Sequence, residues 1–175
     1  MDNQPDRGLA ELIRDVDGFP EPGVRFKDIT PILADPDAYR RSVEAMAAPF
    51  VGRVDRVAAI EARGFILGAP LALVLGAGFV PLRKVGKLPY TTVTEGYALE
   101  YGLATLEMHI DALEPGHRVL ICDDVIATGG TARAAVELVR RMGSELVGVT
   151  ALLEIVALGG RRLLPDVEVV AVLQV

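Results

Sequence analysis

The stretch Val119-Leu120-Ile121-Cys122-Asp123-Asp124-Val125-Ile126-Ala127-Thr128-Gly129-Gly130-Thr131-Ala132 decides the fold. It opens inside an apolar run, Arg118 to Cys122, of the kind a strand buried on both faces requires. Two carboxylates follow, and Asp123 to Gly130 reads as a loop. From Thr131 to Met142, the residues Ala135, Leu138, Val139 and Met142 fall on one helical face. Gly143 stands where a left-handed cap ends a helix, and Leu146 to Leu153 is a second apolar strand. Strand, helix and strand within about 30 residues make a βαβ unit, whose crossover is right-handed in nearly all cases.

The same stretch carries chemistry. Open α/β sheets bind ligands beyond the carboxyl ends of their strands, which is where Asp123 and Asp124 are expected. Glycines let the backbone approach an oxyanion closely, and the first amides of the next helix are unpaired donors at the positive end of its dipole. Thr128 and Thr131 add hydroxyl donors. The expected ligand is a phosphate monoester, with carboxylates nearby suited to sugar hydroxyls or a hydrated divalent cation. The alternative is purely architectural: two acids that cap a helix, and glycines that make a tight turn. A Walker loop does not fit, because no lysine follows the second glycine, and the spaced three-glycine dinucleotide fingerprint is missing.

Working outward, Leu9, Leu12, Ile13 and Val16 recur with helical spacing and predict an amino-terminal helix. Phe19-Pro20-Glu21-Pro22-Gly23 must end it. Asp35 before Pro36 is a cap followed by the helical position that favours proline, and Val43, Met46, Ala47 and Phe50 give that helix a buried stripe. Val57 to Ile60 predicts a strand, Phe65 to Leu75 a helix, and Phe79 to Leu82 another strand. Arg83 to Glu95 is basic and contains glycine, and it reads as a long mobile loop. Tyr97 to His109 reads as a hairpin around Gly102, and Val167 to Val172 as a last strand. The alternation predicts a single α/β domain over residues 1–175, with a mostly parallel central sheet flanked by helices.

Composition limits the function. The 175 residues are 51% hydrophobic and 5% aromatic, with 18 basic against 24 acidic side chains and a net charge of −6. That balance argues against nucleic-acid binding through bulk positive charge. The apolar stretch Phe65 to Pro81 is broken by glycines and proline and falls short of a membrane span of about 20 residues. Met1 to Arg7 lacks the basic head and apolar stretch of a signal peptide. A single cysteine fits a reducing compartment. A soluble, cytoplasmic protein is expected. Cys122 reads as a small buried hydrophobe rather than a nucleophile, and His109 and His117 lack partners at metal-ligand spacing.

The strand, acidic pair and Ala-Thr-Gly-Gly-Thr loop resemble the phosphoribosyl-diphosphate signature of type I phosphoribosyltransferases. The resemblance implies that fold, with a mobile hood loop. It also implies that Ala127, Thr128, Gly129, Gly130 and Thr131 cradle a 5-phosphate while Asp123 and Asp124 hold ribose hydroxyls. Four further stretches narrow the likeness to the family's adenine enzymes: Phe19 to Pro31, Glu61 to Phe65, Arg83 to Pro89 and Tyr97 to Gly102, followed by the tail Glu154 to Arg161.

That likeness implies conversion of adenine and 5-phosphoribosyl 1-diphosphate to AMP and diphosphate, a step of purine salvage. The backbone near Arg25 and Lys27 would read the base edge while Phe26 stacks on the ring. Backbone amides at Ala62, together with Arg63, Lys84 and Lys87, would hold the diphosphate, and a strained peptide is expected beside Ala62. Glu61 and Arg63 could instead form a surface ion pair. Glu100, in Leu-Glu-Tyr-Gly, would be the general acid or base. Magnesium would come chelated by the substrate, with no direct protein ligand and no prosthetic group. A homodimer is implied. The alternatives are a ligand-sensing regulator that keeps the site, and an enzyme for another purine.

Overall fold

The computed structural model describes residues 7–98 and 103–175. A short helix α1 (Arg7–Ala10) leads into β1 (Arg14–Asp17), which pairs antiparallel with β2 (Arg25–Asp28) in a two-stranded sheet. Helices α2 (Thr30–Ala34) and α3 (Pro36–Ala47) follow. Then come β3 (Arg56–Ile60), α4 (Arg63–Leu75), β4 (Gly78–Lys84), β5 (Thr92–Ala98) and β6 (Leu103–His109). The chain continues with β7 (Arg118–Ile126), α5 (Gly130–Arg141), β8 (Glu145–Glu154) and β9 (Val169–Gln174). The main sheet has seven strands in the order β5-β6-β4-β3-β7-β8-β9. Its β4-β3-β7-β8-β9 part is parallel, and the β5–β6 hairpin adds an antiparallel edge.

Alternation along the central strands explains why helices cover both faces. Val57 and Ala59 of β3, with Leu120 and Cys122 of β7, join one core with α3 and α4. Ala58, Ile60, Val119 and Ile121 point the other way into a second core under α5. Successive side chains leave a strand on opposite faces, so an unbroken apolar run demands two covers. Each fully buried Leu, Ile or Phe in these layers contributes about 1.5–3 kcal/mol.

The cap expected at Asp35 is present: its carboxylate accepts from the amides of Asp37 and Ala38 at 3.0 and 2.8 Å, just before Pro36. Such a cap contributes about 1 kcal/mol. Val43, Met46, Ala47 and Phe50 are all buried, as their spacing predicts. Pro70 lies inside α4 and has no amide for the Ile66 carbonyl, and the Tyr39 hydroxyl from α3 donates there instead. Gly68 brings the same helix onto β3, since a β-carbon there would stand 2.5 Å from that of Ala59.

Three sequence expectations need correction. The helix over Leu9 to Val16 stops at Ala10, and Val16 lies opposite Phe26 in the β1–β2 pair. Its backbone is satisfied by a partner strand beyond the proline-bounded turn, which short-range periodicity cannot register. The expected loop Arg83 to Glu95 shrinks to residues 85–91, because β4 runs through Lys84 and β5 begins at Thr92. The start of this connection is tied down: Glu107, 3% exposed, accepts from the amides of Lys87 and Leu88, both at 2.8 Å. Finally, β7 does not end at Cys122. It pairs with β8 as far as Ile126↔Glu154, which puts both Asp123 and Asp124 inside the strand.

Candidate active site

Beyond the carboxyl ends of β3 and β7 opens a cavity of about 290 Å³. Its floor is the acidic pair. Asp124 is 6% exposed and accepts from Nε of Arg63 at 2.5 Å. The Asp124 amide donates to the Asp123 carboxylate at 2.8 Å. Burial pushes the Asp123 carboxyl well up, and the neighbouring Asp124 pushes it further. The start of α4 rests on this pair: a β-carbon at Gly64 would lie 3.1 Å from Asp123 Oδ1.

The short loop Ala127 to Gly129, with Thr131, lines the cavity. Gly129 takes φ +85°, open to glycine at little cost, and stands at the cap position of α5, which starts at Gly130. No side chain caps α5, so its first amides keep their capacity for an acceptor. A helix start, a glycine turn and two hydroxyls together suit an anion.

The cavity also has cationic lining. Arg63 and Lys84 line it, together with Glu61. The Glu61 side chain is only 7% exposed and gathers its surroundings. It accepts from the Lys84 amide at 2.8 Å and from Arg83 Nε at 2.9 Å, and Lys87 Nζ stands at 3.3 Å. Burial alone would raise its carboxyl, but those three groups outweigh burial and hold it below its ordinary range. The surface pair imagined between Glu61 and Arg63 is thus replaced by two separate pairings. Ala62 lies between the lining residues Glu61 and Arg63. It is the cap residue of α4, and the peptide joining it to Glu61 is cis.

Arg63 also links this cavity to the amino-terminal segment, since its guanidinium lies over the Phe26 ring, 5.1 Å from the centroid. Phe19 meets the same ring edge-on at 5.1 Å. The neighbouring side chains turn to β1: Arg25 pairs with Asp17 at 2.9 Å and Lys27 with Asp15 at 2.6 Å. The structure therefore gathers Arg63, Lys84, Asp123, Asp124, Ala127, Thr128, Gly129 and Thr131 around one cavity, with Gly130 directly behind the loop. Phe26 joins through Arg63, and Lys87 through Glu61. Glu100 lies outside the described residues. Sequence reading missed Glu61, Arg83 and Glu107 as organisers; the one available signal was an acid set in the motif opposite a basic cluster.

Asp55, Glu61, Glu107 and Glu154 are all held below the ordinary carboxyl range. For Asp55 the cause is first the Arg118 side chain and then its amide. A carboxyl lower in the folded than in the unfolded chain contributes stability above its unfolded value and loses it as pH falls through the folded one. Asp28 is lowered too, by the Thr30 amide and hydroxyl, and Asp123, raised, works in the opposite direction, one group against five. The urea midpoint is expected to stay level from pH 7 to about 5 and to fall below about pH 4. Glu107→Gln should shrink that fall. A midpoint level down to about pH 3 would contradict the carboxylate assignment.

One cavity thus combines an anion cradle, a carboxylate pair and cationic side chains, which suits a phosphorylated sugar bearing a second anionic group. The family described as phosphoribosyl transferase domain matches residues 40–173, and the chain belongs to that family. The adenine phosphoribosyltransferase of Thermobifida fusca (strain YX) is 58% identical over 161 residues, covering 91% of this chain and 92% of the relative. The crystal structure of adenine phosphoribosyltransferase from Rhodothermus marinus superposes with a TM-score of 0.93 at 57% identity, covering 97% of each chain. The Saccharomyces cerevisiae adenine phosphoribosyltransferase, solved with adenine and an imino-altritol bisphosphate, gives 0.90 at 36% identity over 95% of this chain and 97% of that one. Within the family, this chain stands among the adenine phosphoribosyltransferases.

Proposed function

We propose that the chain transfers the phosphoribosyl group of 5-phosphoribosyl 1-diphosphate to adenine, as one domain over residues 1–175. The bond from C1 of the ribose to the diphosphate oxygen breaks and its electron pair leaves with the diphosphate. Adenine N9 bonds to C1 and gives up its proton, yielding AMP. The observation that carries this reading is that one cavity is lined by the Ala127–Thr131 loop, the acidic pair and the cations Arg63 and Lys84. The Ala127–Thr131 loop takes the 5-phosphate, Asp123 and Asp124 accept from the ribose hydroxyls, and Arg63, Lys84 and Lys87 meet the diphosphate with the amides at Ala62. Phe26 supplies a stacking face for the base, and the backbone beside Arg25 and Lys27 supplies edge contacts. Glu100 takes the N9 proton.

Magnesium belongs to the substrate in this scheme. Among the described residues no three acidic, histidine or cysteine side chains gather as a cage, and the diphosphate and sugar oxygens are the natural ligands. The ion lowers the cost of charge building on the leaving diphosphate.

The expected setting is the cytoplasm. No helix among the described residues is long and apolar enough to cross a membrane. We also propose a homodimer, supported by the exposed apolar side chains Ile66, Leu73 and Val74 along α4.

The test is direct. Protein incubated with adenine, donor and magnesium should release AMP and diphosphate in equal amounts, and folded protein that releases neither would overturn the reading. Asp124→Asn keeps the shape but removes a charged acceptor, worth about 1.5–2 kcal/mol, or roughly 10- to 30-fold in donor affinity. Titration calorimetry with the donor should show that loss with an unchanged far-ultraviolet spectrum. Unchanged affinity would reduce the pair to a structural element.

A further inference from the structure

The loop from Ala127 to Gly129 has no large side chain with which to hold itself in place, so something else must fix it. Its neighbour is the segment after β8, wound into two 3-10 turns, Val156–Leu158 and Gly160–Leu163. The approach is backbone to backbone. A β-carbon on Gly129 would lie 2.3 Å from the Gly160 carbonyl oxygen, and one on Gly160 would lie 2.4 Å from the Ala127 carbonyl oxygen and 3.0 Å from the Gly129 nitrogen. Contacts that short force a shift, and on both sides the obstacle is main chain rather than a flexible side-chain tip.

Beside Gly160, outside the cavity, stands a charged knot built around the buried Glu154 and the half-exposed Arg161. Glu154, 4% exposed, ends β8 level with Ile126 of β7. Nε of Arg161 stands 2.7 and 2.8 Å from its two oxygens, and Nη1 of Arg161 donates to the Val169 carbonyl at 2.6 Å. Gln174 of β9 donates to the same carboxylate at 3.0 Å. The Ile155 amide donates to the Ile126 carbonyl at 2.9 Å, which ties the turn to the residue where the loop begins. Two strand ends and one arginine thus set the residue adjacent to Gly160.

We propose that Gly160 is the outer wall of the anion cradle and that the Glu154–Arg161 pair is its positioning device, fixing residues 127–129 at the geometry that receives the donor's 5-phosphate. The proposal rests on the reading of that loop as the phosphate site. Neither Glu154 nor Arg161 touches the substrate. Their effect reaches it through one glycine contact, so it should fall on donor binding and spare the base.

The test uses the full chain. Gly160→Ala should raise KM for the donor and weaken ribose 5-phosphate binding together, by about 10-fold or more, because misplacements of about 1 Å are costly. Adenine affinity and kcat at saturating donor should stay within about threefold, the pattern of lost uniform binding. Arg161→Met should act in the same direction should Gly160→Ala fail to fold, and Arg161→Lys should recover part of the loss. Wild-type donor KM and ribose 5-phosphate affinity in folded Gly160→Ala would overturn the proposal. An equal loss of adenine and donor affinity would also overturn it, since that marks general damage. Thr131→Ala, run in parallel, separates the two readings. If it lowers ribose 5-phosphate affinity and Gly160→Ala does not, the brace alone is wrong; if it leaves that affinity intact, the cradle and the brace both fail.

Discussion

Glu100→Gln is expected to lower kcat about 100-fold or more while donor affinity changes little. Forming the N9–C1 bond leaves adenine carrying a proton it must lose, and a positioned carboxylate accepts it at a gain of about 10²–10⁴ in rate. Glutamine keeps the size and the hydrogen-bonding reach but cannot take the proton. The loss therefore belongs in turnover and not in binding. Steady-state kinetics with calorimetric donor binding would read both quantities, and a fully active variant would remove Glu100 from the reaction. In sequence the residue falls between β5 and β6, outside the described residues. Glu107 of β6 accepts from the Lys87 and Leu88 amides, which ties β6 to the connection between β4 and β5.

Adenine should be used at least about 100-fold better than hypoxanthine or guanine, measured as kcat/KM for each base. Among the described residues, strand β2 pairs with β1 alone, in a two-stranded sheet. The side chains of Arg25 and Lys27 are engaged by Asp17 and Asp15. What remains to read a base there is backbone, an amide and a carbonyl in fixed alternation. Adenine offers a donor at its amine and an acceptor at the adjoining ring nitrogen, whereas hypoxanthine and guanine offer the reverse. A mismatched base would leave buried groups unpaired, at about 1–3 kcal/mol each. Comparable turnover of hypoxanthine would withdraw the adenine-reading role of this strand while leaving the phosphoribosyl chemistry intact.

The parts legible in the sequence were those whose signal is local. Asp35-Pro36 announces a helix start because the cap and the proline act within one turn. The apolar run before Asp123 and the helical spacing after Gly130 announce the βαβ unit for the same reason. Val16 was misread because a stretch this short satisfies helical spacing by chance, and its true partner, Phe26, lies beyond a turn. The strand from Thr92 has a local signal in Thr-Val-Thr, three β-branched residues in sequence, which the basic, glycine-containing stretch around it obscures. In the site, the loop and the acidic pair were legible as one motif. Glu61, Glu107 and Glu154 were not, because each owes its role to cations or amides brought close by the sheet and not by sequence neighbourhood.

Cys122 gives the strand that carries the acidic pair a chemical timer. Its thiol is fully buried, with Sγ 3.9 Å from the Gly64 carbonyl, and burial followed by the charges of Asp123 and Asp124 pushes its ionisation well up. A reagent that attacks thiolates finds neither access nor a reactive form while β7 lies between β3 and β8. The only sulfhydryl in the chain therefore reacts at the pace at which this strand parts from its neighbours. Anything that fills the cavity above it slows that pace by mass action. Alkylation of a single atom becomes a clock for the opening of the sheet at its functional end, with no label to introduce.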